Sequence, residues 1–152
     1  MGNQHATTLA WLAGIMDGEG SIMVIRTTRS GKFKYTYRVT IANTDLPLVM
    51  RCKKIFADLQ ADPKLYNQDR GSDGQRRRRT YLLHIMTRQG IQNVLEAIYP
   101  FLTCKKQRAK ELLKALAAWE SVDKSVLHAR FRLLNERIPV EPSETTREKP
   151  QG

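Results

Sequence analysis

The sequence contains few of the residues on which several classes of protein depend. Its two cysteines, Cys52 and Cys104, and its three histidines do not form the C-x-x-C or H-x-x-x-H spacing typical of zinc sites. No apolar run approaches the roughly 20 residues that cross a bilayer, and the N-terminus resembles no secretion signal. We therefore expect buried, reduced thiols in a soluble, intracellular protein that has no membrane partner.

Acidic residues are also scarce. Twenty-six Lys and Arg against fifteen Asp and Glu give a net charge of +11 and a pI near 10.0. The excess is clustered, because residues 26–38 hold five basic residues and no acidic one, and residues 64–88 hold seven basic and two acidic. Such clustering favours a polyanionic partner, above all nucleic acid. A charge that serves only solubility is the alternative.

The length and the hydrophobic pattern predict one α+β domain over residues 1–138, followed by a Pro-, Glu- and Thr-rich tail, 139–152, that we expect to be disordered. The predicted order is αββαββα with further helices, which gives an antiparallel sheet with helices on one face. The predicted helices are residues 7 or 8 to about 17, 45 to about 60, 88–98, 105 to about 121 and 123–138. The predicted strands are residues 21–28, 34–41, 65–68 and 80–86.

One face of this sheet has no predicted cover. Its polar and basic residues alternate with core positions, which suits a β surface that lies in a DNA major groove, although a solvated face is the alternative. We expect Arg38, Gln68 and Arg70 to contact bases and the run Arg76–Arg79 to hold phosphates. The residues assigned to DNA binding are Thr27, Arg29, Thr36, Arg38, Thr40, Gln68, Arg70, Arg76, Arg78 and Thr80.

The segment Leu12–Gly20, LAGIMDGEG, ends the first predicted helix. Ala10, Gly14 and Gly18 give this helix a face of small residues, on which a second helix can approach closely. The segment matches the LAGLIDADG motif, and the chain resembles LAGLIDADG homing endonucleases of the single-motif, homodimeric type. No second copy occurs in the chain, so we expect the partner helix to come from an identical subunit. The predicted dimer seam comprises Ala10, Ala13, Gly14, Asp17 and Gly18.

The motif also places a carboxylate, Glu19, at the end of the helix. Two such carboxylates near a two-fold axis would require cations, and oxygen ligands suit Mg²⁺ or Mn²⁺, so the predicted metal ligands are Glu19 and Gly18. Glu19 replaces the commoner Asp of the motif. An ordinary glycine-capped helix with a solvent-facing acid is the alternative interpretation of the segment.

The resemblance implies two further catalytic residues. Lys105 matches a lysine that stabilises phosphate charge, with Lys106 as the second candidate and an inert surface lysine as the alternative. Asp45 lies where relatives place a polar side chain that positions water, although a helix N-cap explains it equally well. A basic residue found in close relatives near the start of the second helix has no clear counterpart, and Arg51 is the nearest substitute.

The resemblance therefore predicts a homodimeric enzyme that hydrolyses both strands of a long, nearly palindromic DNA site. The alternatives are a non-catalytic DNA-binding regulator and an intron maturase, which would make RNA a partner. Glu19 and Lys105 argue against the first, and the scarcity of aromatic residues argues against the second. The implied location is the cytoplasm of a bacterium, phage or archaeon, or an organelle.

Overall fold

The computed structural model describes residues 2–68 and 79–135, and it confirms the predicted α+β fold. The described helices are α1 (Gly2–Glu19), α2 (Leu46–Asp58), α3 (Arg88–Ile98), α4 (Lys106–Ala117) and α5 (Lys124–Asn135), with a 3-10 turn at Tyr99–Phe101. The strands are β1 (Gly20–Arg29), β2 (Lys32–Asn43), β3 (Lys64–Gln68) and β4 (Thr80–Ile85). The tail predicted at 139–152 lies outside the described residues. None of the described helices has the length and apolar character needed to cross a membrane.

The start of α1 corrects the prediction. The helix begins at Gly2, five residues before Thr7. The hydroxyls of Thr7 and Thr8 donate to the carbonyl oxygens of Asn3 and Gln4, at 2.8 and 2.9 Å, one turn earlier in the same helix. A threonine can satisfy its hydroxyl in this way without ending a helix, so these residues lie inside α1 and do not cap it.

The four strands form one antiparallel sheet in the order β1-β2-β4-β3. A two-residue turn joins β1 to β2, in which Ser30 and Gly31 have φ values of 51° and 74°. Positive φ at both positions matches the right-handed twist of the flanking strands. Residues 26–34 around this turn are all exposed, so the tip of the hairpin extends beyond the helices.

Alternate residues of the strands face the helices and form the core. The buried strand residues are Ile22, Val24, Tyr37, Val39, Ile41, Leu83 and Ile85. Fully buried helix residues packed with them include Leu12, Met16, Phe56, Leu95, Leu112 and, with 1% exposure, Phe131. The helices therefore cover one face of the sheet, as predicted.

Gly20 fixes the join between α1 and β1. A Cβ atom on this residue would lie 2.2 Å from Met16 Sδ and 2.7 Å from the Met16 carbonyl oxygen. Only glycine allows this close approach, so the chain turns directly from the helix into the first strand. As a result Glu19, the last residue of α1, lies directly before β1, at one end of the strands.

Candidate functional site

The last turn of α1 contacts the segment that leads into α4. The Asp17 carboxylate accepts hydrogen bonds from the backbone N–H groups of Thr103, at 2.8 Å, and Lys105, at 2.9 Å. The Lys105 ammonium donates to the carbonyl oxygen of Asp17 at 2.5 Å. Three hydrogen bonds thus join parts of the chain that are 86 to 88 residues apart. The end of the motif and the predicted catalytic lysine form one site.

Lys105 is half-buried in this site, and its electrostatic environment is mixed. Burial lowers the pKa of its ammonium below the usual value, and the neighbouring positive charge of Arg108 lowers it further. The negative charges of Asp17 and Glu19 act in the opposite direction on the same pKa. Glu19 is therefore close enough to interact electrostatically with Lys105, while its own side chain is exposed.

The oxygen atoms at this end of α1 fit a cation that needs few protein ligands. Glu19 presents an exposed carboxylate, and Gly18 has a carbonyl group in the last turn of the helix, where carbonyl oxygens have no partner within the helix. Among residues 2–68 and 79–135, no three His, Cys, Asp or Glu side chains group into a metal cage. A protomer that offers one carboxylate suits Mg²⁺ or Mn²⁺, which retain several waters.

Asp45 acts as the N-cap of α2. Its Oδ1 accepts a hydrogen bond from the backbone N–H of Leu48 at 3.0 Å, and Pro47 occupies the first turn, where no N–H is needed. Ile41 of β2 pairs with Gly20, the first residue of β1, and β2 ends two residues later at Asn43. Asp45 therefore follows β2 at the same end of the strands where Glu19 precedes β1. The capping bond uses one carboxylate oxygen and leaves the other for water.

Two substitutions test the capping role of Asp45. We expect Asp45→Ala to lower the free energy of unfolding by about 1 kcal/mol, and Asp45→Asn to leave it nearly unchanged, because Asn caps as well as Asp. Urea denaturation measures both effects. If Asp45→Ala proves as stable as the wild type, the cap contributes nothing to α2.

Seven of the predicted DNA-binding residues lie on the uncovered face of the sheet. Residues directly opposite in antiparallel strands share a face, and Arg38 pairs with Met23 while Thr40 pairs with both Ser21 and His84. The same rule gives the remaining positions. The residues brought together are Thr27, Arg29, Thr36, Arg38, Thr40, Gln68 and Thr80. Arg70, Arg76 and Arg78 lie outside the described residues.

The sequence-based prediction missed other side chains of this face. Its residues also include Met23, Ile25, Lys32, Lys34, Lys64, Tyr66, Leu82 and His84. Strand alternation alone could have found them, because they share the parity of the predicted residues. Tyr66, 45% exposed, packs against His84 with ring centroids 5.1 Å apart.

Two polar atoms on this face have no partner. Arg38 Nε and Thr40 Oγ1 are buried without a hydrogen bond within the described structure. Most buried polar groups in proteins are paired, and an unpaired one costs about 1–3 kcal/mol. Burial lowers the pKa of the neighbouring His84, and the charge of Arg38 lowers it further. Two donors in this part of the face thus stay unsatisfied within the described protomer.

The exposed strip of small residues on α1 is narrower than predicted. Ala10, Gly14 and Gly18 are exposed, whereas Ala13 is fully buried in the core. The carboxylate of Asp17 is bound to the start of the α4 segment. Ala13 is closed off from a partner helix by its own protomer, which corrects its assignment to the seam. The place of Asp17 at the seam stays a prediction.

The structure also shows the surroundings of the two alternative basic residues, Arg51 and Lys106, and of the two cysteines. The Arg51 guanidinium stacks on the Trp11 ring, 3.9 Å from its centroid, and the Lys106 ammonium lies 5.0 Å from the centroid of Tyr99. Both cations thus have aromatic partners. Cys52 is buried as expected, and burial raises the pKa of its thiol to about 11. Cys104 is exposed, which corrects the prediction, because it lies in the turn before α4.

The family model for a LAGLIDADG-like domain matches residues 6–99, more than half of the chain. This chain belongs to the LAGLIDADG-like family. The match contains most of α1, the whole described sheet, α2 and α3, and it includes the segment Leu12–Gly20 that resembles the LAGLIDADG motif. No curated protein sequence matches the chain.

Solved structures show the same fold at low sequence identity. The homing endonuclease I-CvuI, in complex with its target in the presence of calcium, has a TM-score of 0.73 and 18% identity over 90% of this chain and 87% of its own. I-CvuI with the I-CreI target in magnesium gives 0.70 and 20%, over 90% and 87%. The archaeal intron-encoded homing endonuclease I-Vdi141I, complexed with DNA, gives 0.66 and 12%, over 87% and 86%. This LAGLIDADG-like chain therefore has the fold of those enzymes over nearly its full described length.

Proposed function

We propose that the chain is one subunit of a homodimeric, site-specific endonuclease that hydrolyses both strands of a long DNA duplex with Mg²⁺ or Mn²⁺. The observation that carries this proposal is the site at the end of α1. There Glu19 and Lys105 lie near each other, where the strands of an uncovered, basic sheet face begin. I-CvuI and I-Vdi141I, which share the fold, are homing endonucleases bound to DNA.

In this mechanism each residue has a separate role. Glu19 and the Gly18 carbonyl would hold the divalent ion, which when bound polarises a scissile phosphate and lowers the pKa of a coordinated water. The Lys105 ammonium stabilises the negative charge that develops on the phosphate oxygens. Asp45 accepts a hydrogen bond from the attacking water at its second carboxylate oxygen and so orients it, while the first oxygen caps α2. No covalent nucleophile from the protein is needed.

The glycines of α1 support a dimer. A glycine inside a helix costs about 0.5–1 kcal/mol relative to alanine. A Cβ atom at Gly14 or Gly18 would meet nothing within 4 Å in the protomer, so internal packing does not require either glycine. A second copy of α1 that approaches across a two-fold axis does require them. The dimer would bring two copies of Glu19 to one centre.

The sheet sets the size of the site. The longest strand, β2, has 12 residues and spans about 40 Å, which is enough to follow one turn of duplex, or about 10 base pairs. Two subunits related by a two-fold axis should therefore protect roughly 20 base pairs, with inverted half-sites. Arg29, Lys32 and Lys34 at the hairpin tip would then contact the outer part of each half-site.

Cleavage of a randomised site library, followed by sequencing of the cut ends, tests the proposal. We expect double-strand cleavage at a nearly palindromic site in Mg²⁺ or Mn²⁺, and none when EDTA removes the metal. Tight, sequence-specific DNA binding without cleavage in either metal would favour a regulator. Preferential binding of intron RNA over the same DNA sequence would favour a maturase.

Arg38→Ala tests the base-contacting role of the sheet face. Arginine donates to guanine through two hydrogen bonds, each good pair discriminating by about 1–3 kcal/mol, so we expect the variant to lose base preference at symmetric positions of both half-sites. Library selection measures the preference at each position. Lys54→Ala, on the exposed side of α2, removes the same charge away from the face and should leave every preference unchanged. Loss of affinity without loss of preference would assign Arg38 to a phosphate.

A further inference from the structure

The motif contains a carboxylate besides Glu19, namely Asp17, whose role its sequence position does not reveal. We infer that Asp17 is the positioning residue of Lys105, holding the backbone of the 103–105 segment so that the lysine ammonium stays at the end of α1. The inference rests on the proposed function for its effect on cleavage. Its structural part concerns only contacts within one protomer.

The Asp17 carboxylate is occupied by backbone donors of the segment before α4. Its Oδ2 accepts from the Thr103 N–H and its Oδ1 from the Lys105 N–H, at 2.8 and 2.9 Å. Both carboxylate oxygens are therefore already hydrogen-bonded to the protein. Glu19, two residues later, is exposed and keeps its oxygens for a ligand. The two acids of the motif thus differ in role: Asp17 binds the backbone of the 103–105 segment, and Glu19 is exposed to a ligand.

The segment that donates these hydrogen bonds has no side-chain cap of its own. Lys105 is the N-cap residue of α4, and its side chain makes no capping hydrogen bond. Its ammonium instead donates to the Asp17 carbonyl oxygen. A carboxylate near the start of a helix is favourable, whereas one near the end of its own helix is not. Asp17 therefore lies where the start of α4 stabilises its charge and the end of α1 does not.

Holding the backbone matters because lysine is flexible. A free lysine side chain has up to about 2 kcal/mol of rotamer entropy to lose when it is fixed. With its own N–H and that of Thr103 bound to Asp17, the backbone of Lys105 is fixed relative to α1, and the ammonium reaches the helix end. Without these bonds the 103–105 segment could move, and Lys105 would leave Glu19.

A double-mutant cycle on the full-length protein tests the inference. We expect Asp17→Asn to slow single-turnover cleavage about tenfold to a hundredfold, because the amide keeps one uncharged acceptor oxygen and sets its NH2 group, a donor, against the other backbone N–H. Its DNA affinity, measured in Ca²⁺, should stay within about twofold, because the sheet face is unchanged. In a Lys105→Ala background the same substitution should add less than about twofold, since the two residues act as one unit. An equal loss in both backgrounds would overturn the inference.

Asp123→Asn is the matched control. Asp123 also caps a helix, accepting from the N–H groups of Ser125 and Val126 at 3.0 and 3.2 Å at the start of α5. Its loss should leave the cleavage rate unchanged. If Asp17→Asn does not fold, Asp17→Glu keeps the charge and both acceptors one methylene further away, and the same cycle applies to it. An Asp17→Glu variant whose loss is undiminished by Lys105→Ala would reject the inference.

A second measurement does not depend on cleavage. The ¹⁵N signal of the Lys105 ammonium should be resolved in the wild type, because its hydrogen bond slows exchange with water, and should be lost in Asp17→Asn but not in Asp123→Asn. An unchanged signal in Asp17→Asn would reject the positioning role even if the protein cuts no DNA. Conversely, a lost signal in a protein that never cuts would reject the proposed function alone.

Discussion

Replacing Glu19 with Gln is expected to stop DNA cleavage while DNA binding stays intact. The substitution keeps the shape of the side chain but removes the one exposed carboxylate at the end of α1. A neutral amide is a poor ligand for Mg²⁺, so the stabilisation that the ion gives to the transition state is lost. This stabilisation amounts to several kcal/mol, and the single-turnover rate should therefore fall by roughly a thousandfold or more.

The measurement compares cleavage in Mg²⁺ with binding in Ca²⁺ on the same selected site. Glu120→Gln, at an exposed acid beyond the end of α4, removes the same charge elsewhere and should cut at the wild-type rate. Binding by Glu19→Gln should be equal to or tighter than that of the wild type, because a negative charge near the phosphates has been removed. A Glu19→Gln protein that cuts as fast as the wild type would remove the metal ligand from the mechanism.

If the chain forms the proposed dimer, Gly14→Leu is expected to separate it into monomers. A leucine at this position would stand on the exposed strip of α1, at a point where the protomer itself offers nothing within 4 Å. Within the protomer the change is neutral or favourable, because leucine forms helices better than glycine by nearly 1 kcal/mol. Against a second α1 it overlaps sterically. We therefore expect a protein that is folded, at least as stable per protomer, and without cleavage activity.

Sedimentation over a range of concentrations measures the association directly. His5→Leu is the matched control, since it adds the same side chain to an exposed position of α1, nine residues or two and a half turns earlier, on the opposite side of the helix. It should leave the dimer unchanged. If Gly14→Leu sediments as the wild type does, the two-fold axis passes through another surface.

Local rules predicted the elements well and the site only in part. The alternation of residues along β1, β2 and β4 was sufficient to assign Arg38 and Thr40 to the uncovered face, because strand parity is a local property. The same pattern could not show that Ala13 is buried or that the Asp17 carboxylate binds a segment 86 residues away. Those facts depend on how α1 packs against the rest of the fold, which no local spacing encodes.

The start of α1 shows a second limit of local rules. A threonine before an apolar stripe is a typical N-cap, yet Thr7 and Thr8 lie inside the helix because their hydroxyls bond to carbonyl groups one turn earlier. Competing uses of the same hydroxyl differ by little energy. Residues 2–5 are exposed and have no apolar pattern, so the sequence gives no signal that the helix extends to Gly2.

The hairpin of β1 and β2 carries residues 26–34 beyond the helices, where both of its sides are exposed. Gly31 has a positive φ that favours glycine, and Arg26 lies over the Phe33 ring, but the other side chains of this part are exposed. Most substitutions there should therefore change stability by less than about 0.5 kcal/mol. Variation at the tip is therefore nearly free of folding constraint, unlike variation at Thr40 beside the core. A lineage carrying this protein could drift to targets that differ at their outer positions without first acquiring stabilising mutations, while the centre of the target would change slowly.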